Sequence, residues 1–485
     1  MSLSVALNTA RSSIQSASTQ IATSGRNVAG ADDPTYSRKI ASTTTTADGG
    51  ARIISIARKT DVALFTRMVG ATSQTTGQEA LLAGLERLAE TVGDPEDGGS
   101  PAAKLGVLAS ALNEYANTPD DPLFGQNVVT TAGDLVRTLN GAADAVTSVR
   151  NGADADIARS VSNLNDFLIR FEDLNRQVVT GTGTGRDVSE LLDKRDAVLA
   201  SISEEIGISV VARPDNDLAI YTDSGVTLFE TRARTVTFTP ATSLAAGAPG
   251  NAVSIDGVPV SGPSSSMPLQ SGRIVGLTQL RDDVSVTYQR QLDEVARGLV
   301  TAFAESDQTA GGAPDLPGLF TYKGATGVPI GATPGLAASL MVNPAADPGQ
   351  GGSVAAIRDG INGGVYTYNT TGGASFADRL FALADGMSAA QSFDPSSALS
   401  TSIGLDEFAS GSVSWLEGQR SVASQQMDYH TALLSRASEA LSNATGVSLD
   451  DEYAIQLQLE QSYGASSRLI SLIDDLFQTL LSVVR

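Results

Sequence analysis

The chain has one histidine and no cysteine among its 485 residues, so few side chains could serve as bases, nucleophiles or soft metal ligands near neutral pH. His430 lies in the run Ala423, Met427, His430, Leu434, Ala437 and Leu441, an apolar stripe at helical spacing. A catalytic triad or a metal cluster is one reading of it. A packing histidine in a helix seam is the favoured one. Adjacent carboxylates occur at Asp282-Asp283, Asp450-Asp451 and Asp474-Asp475. Neighbouring positions on a helix do not face one another, so these pairs read as solvated faces or cap charges rather than as acid and base. No phosphate-binding loop, dinucleotide fingerprint or zinc-ligand spacing is present. Abundant glycine in an acidic chain would suit calcium-binding nonapeptide repeats, but the repeat is missing. The expectation is a protein with no catalytic residues, no metal site and no cofactor, and so not an enzyme.

The formal net charge is -22 and the pI is about 4.4, which argues against nucleic acid as a partner. Without cysteine there is neither a disulfide staple nor a thiolate site. That suits export as an unfolded chain, although many cytosolic proteins share the property. No compact apolar run follows a basic start, and the first arginine is Arg11, so no cleaved secretory signal is expected. No window approaches the roughly 18 uninterrupted apolar residues of a membrane span, so membrane insertion is not expected.

The elements that dominate the pattern are the two ends. Leu469, Ile473, Leu476, Leu480 and Val483 recur at alternating steps of four and three, and the register runs back through Ser466 and Ser462 to Leu459 and Ile455. At the other end, Leu3, Leu7, Ala10, Ile14, Ala17, Ile21, Ser24 and Val28 keep the same alternation. A sustained repeat of this kind marks a helix that seams against another helix. Alanine and serine in the seam allow close approach but bury little apolar area, so each helix is a weak folder that needs a partner. Two ordinary amphipathic helices on one core remain the alternative.

Between the ends, the first helix should stop near Gly30, before Asp33-Pro34. Residues 35–61 read as extended, with alternation over Arg52-Ile53-Ile54-Ser55-Ile56. Helical spacing resumes over residues 62–92, a turn-rich stretch covers residues 93–99, and a short helix covers residues 101–115. A long helix then carries its stripe from Leu139 to Val178, followed by a shorter one over residues 188–206. Period-two patterning with turn residues marks residues 208–260. A helix follows over residues 277–303, then a stretch rich in glycine and proline, then helix from Leu405 to Gly446. Ser448 and Asp451 look like a capping box for the last helix.

The predicted fold class is mainly α with β-rich inserts: terminal helices forming a coiled-coil-like pair, a helical rod domain, and outer β domains. The predicted division is residues 1–60 with 446–485 as a terminal unit including an extended connector; 61–207, 271–305 and 396–445 as the rod; 208–270 as a small β-rich insert; and 306–395 as an outer β- or loop-rich insert.

After the first helix the chain reads Asn27-Val-Ala-Gly-Ala-Asp-Asp-Pro34-Thr-Tyr36-Ser37-Arg38. This resembles the signature of the bacterial flagellar axial proteins, whose usual form has Thr-Pro-Gly-Tyr where this chain has Asp33-Pro34-Thr35-Tyr36. The far end, from Gly446-Val-Ser-Leu-Asp-Asp-Glu452 through Gln456-Leu-Gln-Leu-Glu-Gln461 to Leu476-Phe-Gln-Thr-Leu-Leu481, is similar to the C-terminus of the hook-associated protein 1 family. Ser189-Glu-Leu-Leu-Asp-Lys-Arg-Asp196 and Ser271-Gly-Arg-Ile-Val-Gly-Leu277, continuing to Gln291-Leu-Asp-Glu-Val-Ala296, resemble its rod segments.

The resemblance implies a structural adaptor at the hook-filament junction, exported and extracellular. Asn27, Pro34, Tyr36, Ser37 and Arg38 would be its axial-protein motif, and the terminal stripes its assembly seam. It implies self-association in a ring, hook protein below, the second junction protein above, and an export chaperone on the C-terminal helix over residues 469–483. It also implies termini that are disordered in the free subunit and ordered by assembly. Another axial subunit of the hook or rod, or an exported adhesion or binding protein, are the competing expectations.

Overall fold

A computed structural model describes residues 3–47, 49–92 and 98–483, the side chain of Val483 excepted. Of the turn-rich stretch expected at residues 93–99, residues 93–97 lie outside the described residues. Helix α1 (Leu3–Ala29) leads into an antiparallel hairpin of β1 (Lys39–Thr45) and β2 (Ala51–Arg58), paired from Lys39 with Arg58 to Thr45 with Ala51. The helices that follow start where a short polar side chain can accept an otherwise orphaned N–H. Asp61 takes the Leu64 N–H at 3.0 Å to open α2 (Val62–Ala89). Ser100 takes that of Ala103 at 3.1 Å for α3 (Pro101–Asn117), and Asp121 takes that of Leu123 at 2.9 Å for α4 (Pro122–Gly183). Proline in the first turn of α3 and α4 forfeits no helical hydrogen bond.

At 62 residues, α4 is about 90 Å long. Its stripe from Val128 through Leu139, Ile157 and Leu168 to Val178 is buried against its neighbours. Helix α5 (Ser189–Glu205) packs on its far half. Six short strands then form two three-stranded antiparallel sheets: β3 (Ile208–Ala212), β4 (Leu218–Thr222) and β5 (Thr227–Phe229), then β6 (Val236–Thr237), β7 (Ser254–Ile255) and β8 (Val258–Pro259). Asp256 and Gly257 both have positive φ between the paired Ile255 and Val258, the hairpin turn that an Asp-Gly pair favours.

The helix expected at residues 277–303 begins earlier and is interrupted. It consists of α6 (Arg273–Gln279), one π-helical turn over Leu280–Val284, and α7 (Ser285–Ala302). Helix α6 crosses α2 almost backbone to backbone: a Cβ on Gly276 would lie 1.9 Å from the Gly77 carbonyl oxygen. Only glycine permits that approach.

Residues 306–395 hold little sheet. β9 (Phe320–Tyr322) and β10 (Leu340–Val342) pair, and the rest is turns with α8 (Leu336–Ser339), α9 (Ala355–Asp359) and the longer α10 (Asp378–Ser388). After β11 (Gln391–Ser392) and β12 (Ser402–Ile403), α11 (Leu405–Thr445) returns along α2, and α12 (Leu449–Val483) pairs with α1. The fold is mainly α with small β inserts.

One buried apolar cluster runs from Leu81 to Ala423 through the helices and both inserts. Phe171 meets Phe229 of the first insert edge-on at 5.0 Å, and Phe303 meets Phe320 of the second at 4.9 Å. The inserts therefore share the rod's core. Among the described residues, none of α1 or α12 belongs to that cluster.

Asp282, expected on a solvated face, is drawn into the interior by its neighbour. Arg281 is fully buried, with Nη1 on Asp154 at 2.5 Å, Nη2 on Asp282 at 2.7 Å, and a further bond to the Asn251 carbonyl at 2.9 Å. Arg150 donates to the carbonyls of Arg281 (3.0 Å), Ala245 (2.9 Å) and Ala248. Burying a guanidinium is costly unless its donors are used. Here they clamp the loop of the first insert onto α4.

Candidate functional site: the joint and the free face of the terminal helices

Asn27 lies in the last turn of α1 and is almost wholly buried. Its Nδ2 donates to the Lys39 carbonyl at 2.9 Å and to Glu452 Oε1 at 3.1 Å. Its Oδ1 accepts the Lys39 N–H at 2.9 Å and the Tyr36 hydroxyl at 3.0 Å. All four bonds that an asparagine amide can make are thus used. Aspartate would lose the two donors, and alanine would lose everything.

Glu452 is the partner from the other end of the chain. It lies in the first turn of α12, where a negative charge is favoured by the helix dipole, and accepts Arg38 Nε at 2.7 Å. The Ser24 hydroxyl donates to its carbonyl at 3.4 Å, and the Arg38 N–H donates to the Thr445 carbonyl at 2.8 Å. Ser448 caps the helix by accepting the Asp451 N–H at 3.3 Å. The motif thereby ties the end of α1, the hairpin and the start of α12 into one knot.

Pro34 is exposed on the turn, and Ser37 is half-buried. Asp33 takes the backbone N–H of Thr35 at 2.8 Å and its hydroxyl at 2.7 Å, which hold the Asp33 carboxyl below the usual carboxylate range. Thr35 is not among the residues of positive φ, so threonine in place of the glycine of the pattern it resembles carries no left-handed strain here. Glycine is needed instead at Gly30, where a Cβ would come within 2.6 Å of the Tyr36 ring. The Lys39 ammonium sits over that ring, 3.4 Å from its centroid. Burial pushes the Tyr36 hydroxyl pKa up, with Lys39 opposing.

The knot docks on α5 through charge. Lys39 Nζ lies 2.8 Å from Asp193 Oδ2; Arg58 Nη1 lies 3.2 Å from Asp193 Oδ1 and 2.6 Å from Asp196 Oδ2. Burial raises the Asp196 pKa, against the pull of Arg58. Burial also pushes Arg195 down to about 10. A cleft of about 1030 Å³ opens beside these residues.

Along the pair, α1 buries Ala10, Ala17 and Ser24, and α12 buries Glu452, Ser466 and Ile473. The helices run antiparallel, since Ser24 near the end of α1 meets Glu452 at the start of α12. Leu3, Leu7, Ile14, Ile21, Val28 and Leu459 are half-buried. Ile455 is exposed, as are Leu469, Leu476 and Leu480, at 52%, 47% and 52%. Leu472 and Leu481 join them at 59% and 69%. The buried line on α12 passes through Leu459, Ser466 and Ile473, so the leucines of the expected stripe flank it and face outward. The side chain of Val483 lies outside the described residues.

His430 is half-buried on α11, its ring edge-on to Tyr429 at 5.3 Å. Among the described residues no group of three acidic, histidine or cysteine side chains is placed to hold a metal ion, and no helix is long and apolar enough to cross a membrane. Sequence reasoning missed Glu452, Lys39, Arg58 and Asp193 as parts of the joint. A carboxylate at every third position, Asp187, Glu190, Asp193 and Asp196, was the available signal.

Residues 85–318, from within α2 to just before β9, match the model of the flagellar hook-associated protein FlgK helical domain. Flagellar hook-associated protein 1 of Salmonella typhimurium is 23% identical over 230 residues, which are 46% of this chain and 41% of that protein. The Escherichia coli K12 protein of the same name matches with the same identity and coverage. The matched region is thus about two fifths of the length of these curated relatives. The flagellar hook junction protein FlgK from Burkholderia pseudomallei superposes with a TM-score of 0.42 at 19% identity, over 53% of this chain and 47% of that one.

Proposed function

We propose that this chain, whose residues 85–318 match the FlgK helical-domain model, is a structural subunit of the bacterial flagellum that assembles at the hook-filament junction. The observation that carries the reading is the outward leucine face of α12, Leu469, Leu472, Leu476 and Leu480, on a helix already paired with α1. A face of this size on a helix outside the rod's core costs solvation until a neighbouring subunit covers it. Assembly supplies that cover. Copies of the chain associate in a ring with their terminal pairs innermost and their inserts outward, with hook protein below and the second junction protein above. Before assembly, an export chaperone covers the same face over residues 469–483, and the chain leaves the cell by the flagellar export route. Asn27, Pro34, Tyr36, Ser37 and Arg38 serve this role by fixing how the pair leaves the rod, and the chain catalyses no reaction.

Electron microscopy of cells deleted for the gene, with flagellin assayed in the medium, tests the proposal. Hooks without filaments and flagellin lost to the medium are expected. Cells without hooks would move the assignment to a hook or rod subunit. Normal filaments would overturn it and favour an exported adhesion or binding protein.

A further inference from the structure

The π turn between α6 and α7 changes which backbone group is free to bind elsewhere. The Ser285 N–H reaches back five residues to the Leu280 carbonyl rather than four to that of Arg281. The Arg281 carbonyl instead accepts Arg150 Nε from α4 at 3.0 Å. The same guanidinium holds the carbonyls of Ala245, at 2.9 Å, and Ala248 in the first insert. Both ends of that loop are fastened nearby. Asp154 accepts the Ala241 N–H at 2.7 Å, Asp282 accepts that of Gly250 at 2.8 Å, and Arg281 donates to the Asn251 carbonyl at 2.9 Å. Residues 241–251 form no strand or helix, so these bonds stand in for a backbone ladder.

The loop also touches the second insert. A Cβ on Gly247 would lie 3.7 Å from Pro334, and one on Gly335 would lie 3.6 Å from Ala246. The Gly335 and Ala337 N–H groups are held in turn by Asp293 of α7, at 2.8 and 2.9 Å. Arg150 and Asp293 are both almost wholly buried. Removing either would leave several backbone groups unsatisfied, and these regain partners only by moving into water. The loop cannot move outward without leaving Pro334 and Gly335, nor can they without leaving the loop.

We propose that residues 241–251 are a strap that couples the two inserts, gripped by Arg150 at the π turn and, through Pro334 and Gly335, by Asp293. Release of either grip loosens both inserts. The coupling belongs to the rod and inserts, so it depends neither on the flagellar reading nor on the state of the terminal helices.

Hydrogen exchange of the full chain, read by mass spectrometry on peptides covering residues 241–251, 334–340 and α7, tests the strap. Arg150→Met should quicken exchange over residues 334–340, to which Arg150 makes no bond, by about tenfold, within the usual range for coupled sites. Asp293→Leu should do the same over residues 241–251, with α7 protected in both variants. Ala246→Gly with Pro334→Gly thins the bridge and spares both grips. In that background the cross-effects should shrink below about twofold, as expected when a shared contact carries the coupling. The milder Arg150→Lys and Asp293→Asn give the same readings if the first pair unfolds the rod. Loosening confined to each variant's own insert, cross-effects that survive thinning of the bridge, or faster exchange of α7 in the milder variants would each overturn the strap.

Discussion

Helices α7 and α12 show the two ways in which this chain treats a helix. Nearly every residue of α7 from Ser285 to Val300 is buried, including Gln291, Asp293, Glu294 and Arg297. Each of those polar groups has its hydrogen bonds within the protein: Gln291 with Ser412 and the Ser397 carbonyl, Glu294 with Arg297 and the Asp394 N–H. Helix α12 is about twice as long and buries Glu452, Ser466 and Ile473. The rod is thus completed by its own sequence, while the terminal pair leaves apolar surface uncovered. Under the proposed assembly, the contrast separates residues that serve folding from residues that serve association.

The largest expected effect breaks the association side alone. Leu476→Asp with Leu480→Asp should abolish assembly and motility in complementation, while the rod melts as before, since exposed positions contribute little to stability. If the double variant still supports motility, the outward face of α12 is not an assembly surface. The reverse experiment is Phe171→Ala, which empties a fully buried site against Phe229 and should cost about 3–5 kcal/mol in denaturant unfolding. A loss well below that would mean that the insert and α4 do not share a core.

Asp293 sharpens the comparison from within α7. Its carboxylate accepts the N–H groups of Gly335 and Ala337 at 2.8 and 2.9 Å and Gln289 Nε2 at 3.0 Å, yet burial raises its pKa to about 6. A pKa raised on folding gives stability that is full below the unfolded value near 3.8 and is lost as pH rises through about 6. That span is worth on the order of 3 kcal/mol. The stability of the parent relative to Asp293→Asn should fall over this window in paired denaturant titrations; a flat difference would place the proton elsewhere. The smallest effect belongs to the joint. Asn27→Ala leaves the Lys39 N–H and carbonyl without their partner, at roughly 1–3 kcal/mol for an unsatisfied buried group. Hydrogen exchange should quicken at the Lys39 amide and the start of α12 while α7 stays protected.

Much of the helical layout was legible because helix starts and stops are local. Asp61, Ser100 and Asp121 cap helices within three residues of themselves, and Asp256-Gly257 forms a hairpin turn from its own backbone preferences. The joint was legible only in part. Asn27, Tyr36 and Arg38 stood out through their resemblance to a known pattern, but Glu452 lies more than four hundred residues away and Asp193 more than one hundred and fifty from their partners. The π turn at Leu280–Val284 was not legible either, since a single wide turn leaves the apolar spacing of its flanks almost intact.

The sequence by itself marked most of the long helices and the cap of the last one, though not α10 or the first turns of α4, and showed that the terminal stripes are poor in large side chains. Those properties depend on neighbours along the chain. Only the tertiary structure decided which flank of α12 meets α1, how Arg281 turns Asp282 inward, and that the carboxylates of α5 receive the cations of the hairpin. Burial and charge pairing are set by distance in space, and local pattern carries no record of which distant residue will fill a given hydrogen bond.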